Sequence, residues 1–443
     1  MRRFLHVASL VLFASVLCGA QQPQSSPDIS ALEQKIRDLE DRVVSLEGQL
    51  RQLKAQGAPA PAAQPSPAPT PGAAPTTPPQ VAAEQGAAGA TTQGAEPRLG
   101  GAGVSAAKAL NPDISVIGDF IGAAGHNPIV KTPAFEMHES ELGLQAIVDP
   151  YARADFFISF GEEGVELEEG YLTFTALPKG FVARAGKMRA AFGKVNTLHN
   201  HVLPWVDRPL VIQNLVGGED GIDDAGVSVQ HIIPAPKNWF LEFTGQGFRG
   251  DSADVFTSTV KNDLSTVGHL RAYKDLTDNS NVDLGASYSR GHNLFGTDFI
   301  TNLYGIDATY RWKPLQRSIY HSFVARSEFI WRQQDQPSLT ACTVITCPLN
   351  TAPGFQRAFG LYASADYQFA RRWFLGGRVD RSDRPFNSAL TDKGGSLVLT
   401  YWPSEFSQIR GQYRFTRYAE NFDAHELFMQ VQFALGAHGA HPF

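Results

Sequence analysis

Tyr304-Gly305-Ile306-Asp307-Ala308-Thr309-Tyr310-Arg311-Trp312-Lys313 alternates in character one residue at a time. In an extended chain Tyr304, Ile306, Ala308, Tyr310 and Trp312 share one face, and Gly305, Asp307, Thr309, Arg311 and Lys313 share the other. Ala358 to Phe369 repeats the pattern. Phe359, Leu361, Ala363, Ala365, Tyr367 and Phe369 face one way, and Tyr362, Ser364, Asp366 and Gln368 the other. Each strand therefore has one apolar and one wet face. A water-soluble sandwich also alternates, but three features point to a barrel in a membrane. The strands run about 10 residues or more, as a tilted spanning strand requires. Their apolar faces end in Trp, Tyr or Phe, as interfacial girdles do. The wet face carries Arg and Glu at mid-strand.

Sixteen such segments begin near residues 113, 134, 151, 165, 181, 223, 238, 265, 281, 300, 319, 357, 372, 394, 408 and 425. Their connections alternate short and long. Asp149-Pro150, Leu177-Pro178-Lys179-Gly180, Pro234-Ala235-Pro236-Lys237, Lys313-Pro314-Leu315-Gln316 and Pro403-Ser404-Glu405 are short, and 122–133, 188–222, 247–264, 333–356 and 383–393 are longer. Short periplasmic turns, longer external loops and an even strand number are the pattern of an outer-membrane barrel. The expected fold is thus an all-β transmembrane barrel of about 16 antiparallel strands over 110–443, in the cell outer membrane. The terminal Phe443 resembles the assembly signal of such barrels.

The rest of the chain reads differently. All aromatic residues except Phe4 and Phe13 follow residue 110, and ten of the 28 prolines lie between Pro59 and Pro97. Arg2 and Arg3 precede an apolar run from Phe4 to Leu17 and a small-residue site before Gln21, so 1–20 is expected to be a signal peptide. Leu17 is unsuited to a lipoprotein signal at Cys18. With Cys18 removed, Cys342 and Cys347 remain, separated by four residues in an oxidising compartment, and a local disulfide is expected. Charged residues are only 19% and the net charge is −6, so no basic footprint suggests nucleic acid.

Over 27–56, Ile29, Leu32, Ile36, Leu39, Val43, Leu46, Leu50 and Leu53 alternate spacings of three and four. That is an a/d seam, so a periplasmic coiled-coil helix is expected. Arg42-Val43-Val44-Ser45-Leu46-Glu47 resembles a trimer-favouring pattern, and three strands are preferred over two. Residues 57–109 hold Pro, Ala, Gly, Thr and Gln without aromatics and cannot form a core, so a disordered linker is expected.

A sixteen-stranded barrel encloses an aqueous lumen. The longest connection, the third external loop at 188–222, mixes apolar and charged residues as a loop packed on an inner wall would. His199, His201, Asp207, Arg208, Glu219 and Asp220 are its candidate constriction residues. Candidate pore-lining residues are Arg311, Arg326, Arg378, Arg410 and Arg414, with Asp307, Glu328, Asp366 and Asp380 among them. A column of arginines attracts carboxylate or phosphate groups, whereas the interleaved acids favour cross-strand pairing. His199 and His201 could hold a metal with a third ligand, but the sequence identifies none, so no metal and no cofactor is expected.

Gly186-Lys187, Phe192-Gly193, Asp207-Arg208-Pro209-Leu210 and Gly221 together resemble the phosphate-selective porin O/P-type family. Tyr401-Trp402-Pro403-Ser404-Glu405-Phe406-Ser407 and Gly436-Ala437-His438 look like a related group of porin-like proteins, and a coiled coil before the barrel resembles the trimeric dicarboxylate-type porins. The resemblance implies a homotrimeric channel. The lysine-rich funnel of phosphate-selective members is not evident. The expected role is passive diffusion of small hydrophilic solutes with an arginine-driven bias to anions. The rival role is an anchor joining outer-membrane lipid to peptidoglycan through the coiled coil. No nucleophile or paired-carboxylate motif suggests an enzyme.

Overall fold

The computed structural model describes residues 112–161, 164–236, 238–252, 254–338, 348 and 350–436. The expected signal peptide, coiled-coil seam, linker, Cys342–Cys347 pair and Phe443 lie outside the described residues. The strands are β1 (Asp113–His126), β2 (Phe135–Asp149), β3 (Ala152–Gly161), β4 (Gly164–Phe174), β5 (Phe181–Arg189), β6 (Asp223–Ile233), β7 (Phe240–Phe248) and β8 (Ser265–Thr277). They continue as β9 (Ser280–Asn293), β10 (Gly296–Trp312), β11 (Ser322–Gln334), β12 (Gln356–Ala370), β13 (Trp373–Arg384), β14 (Asn387–Ser404), β15 (Ser407–Arg417) and β16 (Asp423–Gly436). Each pairs antiparallel with its sequence neighbours, and β1 pairs with β16 from Ser115↔Gly436 to His126↔His425. This closes the sheet and leaves no edge.

Alternation sorts the side chains. On β13 and β14, Leu375, Val379, Leu397 and Leu399 are exposed on the outside, while Arg378, Asp380 and Ser382 are buried on the inside. A closed sheet with an apolar outside and a polar inside inverts the soluble arrangement, and hydrocarbon is the solvent that suits it. Aromatic pairs mark both rims: Trp373 stacks on Tyr401 at 4.5 Å between centroids, and Trp331 lies 5.2 Å from Phe359.

The connection expected at 383–393 is corrected by the structure. It is the two residues Pro385 and Phe386, because β13 and β14 extend through the polar stretch. Those polar residues bond across the hairpin: Arg384 Nε donates to Asp392 Oδ2 at 3.0 Å, and Thr391 Oγ1 to Asp383 Oδ1 at 2.7 Å.

Two β-bulges bend the alternation inward. Between β1 and β2 the pairing passes from Asp119↔Glu139 to Phe120↔Met137, leaving His138 as the extra residue. Between β3 and β4 it passes from Phe157↔Glu169 to Ile158↔Leu167, leaving Glu168. A bulge places two consecutive residues on one side. Glu168 and Glu169 are accordingly both buried.

Val379 is 60% exposed and pairs with Ala363, midway along β12 between Phe359 and Tyr367. Val379→Arg is expected to cost about 2–4 kcal/mol in urea titrations of the barrel folded into vesicles. Wild-type stability in this variant would put Val379 outside hydrocarbon.

Candidate functional site: a loop folded against the inner wall

Residues 190–222, between β5 and β6, form the candidate site. Short turns at Val195–Thr197 and Asn200–Val202 are followed by one helix, α1 (Leu210–Leu215). Pro209 precedes α1 and supplies a fixed φ of −54°, and Gly217 and Gly218, both at positive φ, follow its end. Phe192, Trp205, Val211, Ile212 and Leu215 are fully buried and cluster with Leu303, Ile330, Tyr362 and Val398. Those four wall residues sit on faces that are otherwise wet. They are the signal in the sequence for a loop lying inside, one that the alternation argument passed over.

Close approach requires glycine at two points. A Cβ on Gly360 would lie 2.6 Å from Val211 Cγ2, so the wall is bare where α1 packs. Gly193 has φ +61°, and a Cβ there would collide with the Glu328 carboxylate.

Hydrogen bonds then fix the loop around the lumen. Asp207 is the main clamp. Arg378 Nη2 donates to its Oδ2 at 2.8 Å and Arg414 Nη1 to the same oxygen at 3.0 Å, and Gln412 Nε2 donates to Oδ1. Arg378 also donates to the Asp207 carbonyl at 2.8 Å and lies over the Trp205 ring at 4.8 Å. Arg410 Nη1 donates to the Trp205 carbonyl at 3.1 Å. On neighbouring strands, Glu328 accepts from the Val195 amide at 2.8 Å, Ser287 from the Gly193 amide at 2.9 Å, and Asp283 from Lys194 Nζ at 2.8 Å. The Leu210 amide donates to Asp380 at 3.3 Å. Burial opposes ionisation of Asp207, but Arg378 and Arg414 outweigh it and hold the carboxyl down to about 2.

Two loop residues knot the segment itself. Arg208 donates to Asn200 Oδ1 at 3.0 Å, the Val195 carbonyl at 3.1 Å and the Leu198 carbonyl at 2.7 Å, so it faces the loop's own backbone. Asn196 joins the loop's ends, donating to the carbonyls of Ala190 (2.9 Å) and Ile222 (3.1 Å) and accepting from the Ile222 amide (2.8 Å). Sequence reading missed Asn196, since a lone loop Asn carries no pattern.

The wall formed by β2 and β4 is acidic. His199 Nδ1 lies 2.8 Å from Glu141 Oε2 and 2.9 Å from Glu168 Oε2, and its Nε2 lies 2.9 Å from Glu169 Oε2. Burial disfavours charge on His199, but the three carboxylates prevail and its pKa stands well above the ordinary value. His201 Nδ1 approaches Glu141 Oε2 at 3.5 Å, while its carbonyl accepts from Gln432 at 2.9 Å. Arg189 donates to Glu168 at 3.1 Å and to the carbonyls of Glu219 (2.9 Å) and Asp220 (3.1 Å). The Glu219 carboxylate meets His138 at 3.5 Å. The adjacent acids at 168 and 169, which break alternation, were the available signal for this wall.

The structure divides the candidate lining residues. Arg378, Arg410, Asp307, Glu328 and Asp380 are buried, and all but Asp307 bond to the loop. Arg326, paired with Asp366, and Arg311, 3.8 Å from Asp283, each keep 26% of the side chain exposed. Arg414 pairs with Glu426 at 2.7 Å besides Asp207.

No protein-family model matches the chain. An uncharacterized protein of Aquifex aeolicus (strain VF5) is 29% identical over 412 residues, covering 79% of this chain and 84% of that one. Among solved structures, OmpT, an outer membrane protein of Vibrio cholerae, covers 73% of this chain and 97% of its own with a TM-score of 0.48 at 10% identity. The outer membrane channel DcaP of Acinetobacter baumannii covers 73% and 96%, with a TM-score of 0.47 at 11% identity. Salmonella typhi OmpF in complex with daunomycin covers 74% and 98%, with a TM-score of 0.48 at 10% identity.

Asp207→Asn keeps the side chain's shape and removes one of the two carboxylates paired with each of Arg378 and Arg414. Asp380 and Glu426 remain, each at 2.7 Å, so the expected cost lies below the roughly 3–5 kcal/mol of a fully unpaired buried charge. Hydrogen exchange at the Val206 amide, which donates to Gln412 at 2.8 Å, is expected to accelerate. Unchanged protection would remove Asp207 as the clamp. The pH dependence has the sign of a depressed carboxyl. The clamp is at full strength above the ordinary value of about 3.9 and is lost as pH falls towards about 2. In wild type, loop exchange should therefore rise across that window.

Proposed function

We propose that the protein is an outer-membrane porin that lets small hydrophilic solutes diffuse passively, with the 190–222 loop as its constriction. One observation carries the reading. A closed barrel with an apolar outside has a loop bonded to its inner wall, and charged side chains remain water-accessible beside it. A loop that narrows a lumen sets a size limit. Wall charges at the narrow part set ion preference. Neither role needs a cofactor or an energy source.

We further propose a bias to anions from Arg311 and Arg326, the two candidate arginines with the most exposed side chains of those held by ion pairs in the wall. Arg378 and Arg410 are spent on the loop. The heptad seam of 27–56 supports a homotrimer as the assembly.

Planar-bilayer recording tests the reading. Stepwise conductance is expected from the folded full chain, and its absence at every voltage would remove the channel. Replacing 194–218 by a short Gly/Ser linker is expected to raise unit conductance several-fold. An unchanged conductance would place the size limit elsewhere. In a salt gradient, the double substitution Arg311→Glu and Arg326→Glu should shift the reversal potential towards cations; no shift would remove the anion bias.

A further inference from the structure

The acidic wall gathers four glutamates around two imidazoles and one guanidinium. Glu139, Glu141, Glu168 and Glu169 converge there, and Arg189 is the guanidinium bonded to Glu168. The imidazole of His199 bridges three of these carboxylates. Glu139 stands apart. It is 6% exposed, and neither carboxylate oxygen has a hydrogen-bond donor. A buried carboxylate without a donor is costly unless a proton or a cation meets it. It is aimed at two further carboxylates: oxygens of Glu139, Glu141 and Glu168 lie within 4.8 Å of one another. The same spacing relates Glu141, His199 and His201.

We propose that Glu141, His199 and His201, backed by Glu139 and Glu168, bind one first-row divalent cation that staples the lumen loop to the wall of β2 and β4. Ligands around one tetrahedral ion at about 2.0–2.2 Å lie about 3.3–3.6 Å apart; His201 Nδ1 already stands 3.5 Å from Glu141 Oε2, and His199 Nδ1, at 2.8 Å, opens from it by about half an ångström as its proton leaves. Two imidazole nitrogens with carboxylate oxygens suit Zn2+, Ni2+ or Fe2+ rather than Ca2+ or Mg2+, which take oxygen shells. The hydrogen bonding already has the right form. His199 presents Nδ1 to the Glu141 side, while its Nε2 faces Glu169 at 2.9 Å. An Nε2–H donated to a carboxylate fixes the tautomer that frees Nδ1 for a metal. On binding, the Nδ1 proton of His199 leaves to solvent and the cation takes its place, so the carboxylates keep a positive partner throughout.

The ligands come from separate parts of the chain. His199 and His201 flank Asn200, whose side chain accepts from Arg208, and the His201 carbonyl is held by Gln432. These bonds orient the pair without help from an ion. Glu141 is the third ligand that the sequence did not identify. Alternation sets Glu139 on the same face of β2 as Glu141, and the bulge at Glu168 turns that residue inward beside them.

The test uses the full chain, folded in detergent and stripped with EDTA, titrated with Zn2+ alone by calorimetry, with Ca2+ as comparison. One Zn2+ per chain is expected, with affinity at least tenfold above that for Ca2+. At least tenfold weakening is expected in Glu141→Gln and separately in His201→Gln, each checked for heat-modifiable migration as a folded barrel. If Glu141→Gln does not fold, the loop variant His201→Gln decides, since it leaves every strand intact. Absence of saturable uptake, or wild-type affinity in His201→Gln, would overturn the site and leave Glu139 and Glu168 as a proton-sharing pair. Binding is read without conductance, so its failure and that of the channel reading are distinguishable.

Discussion

Closure of β1 on β16 is the constraint from which the rest follows. Hydrocarbon offers no hydrogen bond to a backbone amide or carbonyl, so a sheet in lipid must pair every strand on both sides. Once the sheet is closed, period-2 alternation leaves two surfaces of opposite character. The outside takes Val379, Leu397 and their neighbours, and the inside takes charged groups such as Arg378, Asp380, Asp307 and Glu328. The polar groups inside then need partners of their own, and much of the interior architecture is the solution to that need.

The loop at 190–222 supplies many of those partners. Its two ends of chemistry meet two different walls. Asp207 enters the arginine wall formed by β13 and β15, and His199 enters the acidic wall formed by β2 and β4. Each side chain carries the sign its wall lacks. Reversing the loop would set Asp207 among carboxylates and His199 among guanidiniums, so the charge pattern fixes the direction in which the loop lies. Between the two contacts, Trp205, Val211 and Leu215 fill the apolar patch around Tyr362 and Ile330. Electrostatics therefore orients the loop, and apolar packing holds it down.

Much of the barrel was legible residue by residue. Tyr304 to Lys313 displays its two faces without ambiguity, and the sixteen segments read from such alternation correspond to the sixteen strands. The polar stretch at 383–393 was read as a loop because strands above the membrane no longer need an apolar face; Arg384 and Asp392 bond across the hairpin instead. The arginines at 326, 378, 410 and 414 were visible as lumen residues, and so were the strand partners Asp366 and Asp380, but their partners in the loop were not. Arg326 finds Asp366 on the next strand as register predicts, whereas Arg378 finds Asp207, which lies far away in sequence.

The sequence by itself determined the strands, their two faces and the parity of their connections, because alternation is local and each strand carries it independently. Only the tertiary structure decided what meets inside. The partners of Asp207 and His199 lie on strands brought together by closure of the whole ring, and the two bulges that turn consecutive residues inward depend on pairing with a neighbouring strand. Contacts across a lumen leave no period in the chain, so they become readable only when the sheet has closed.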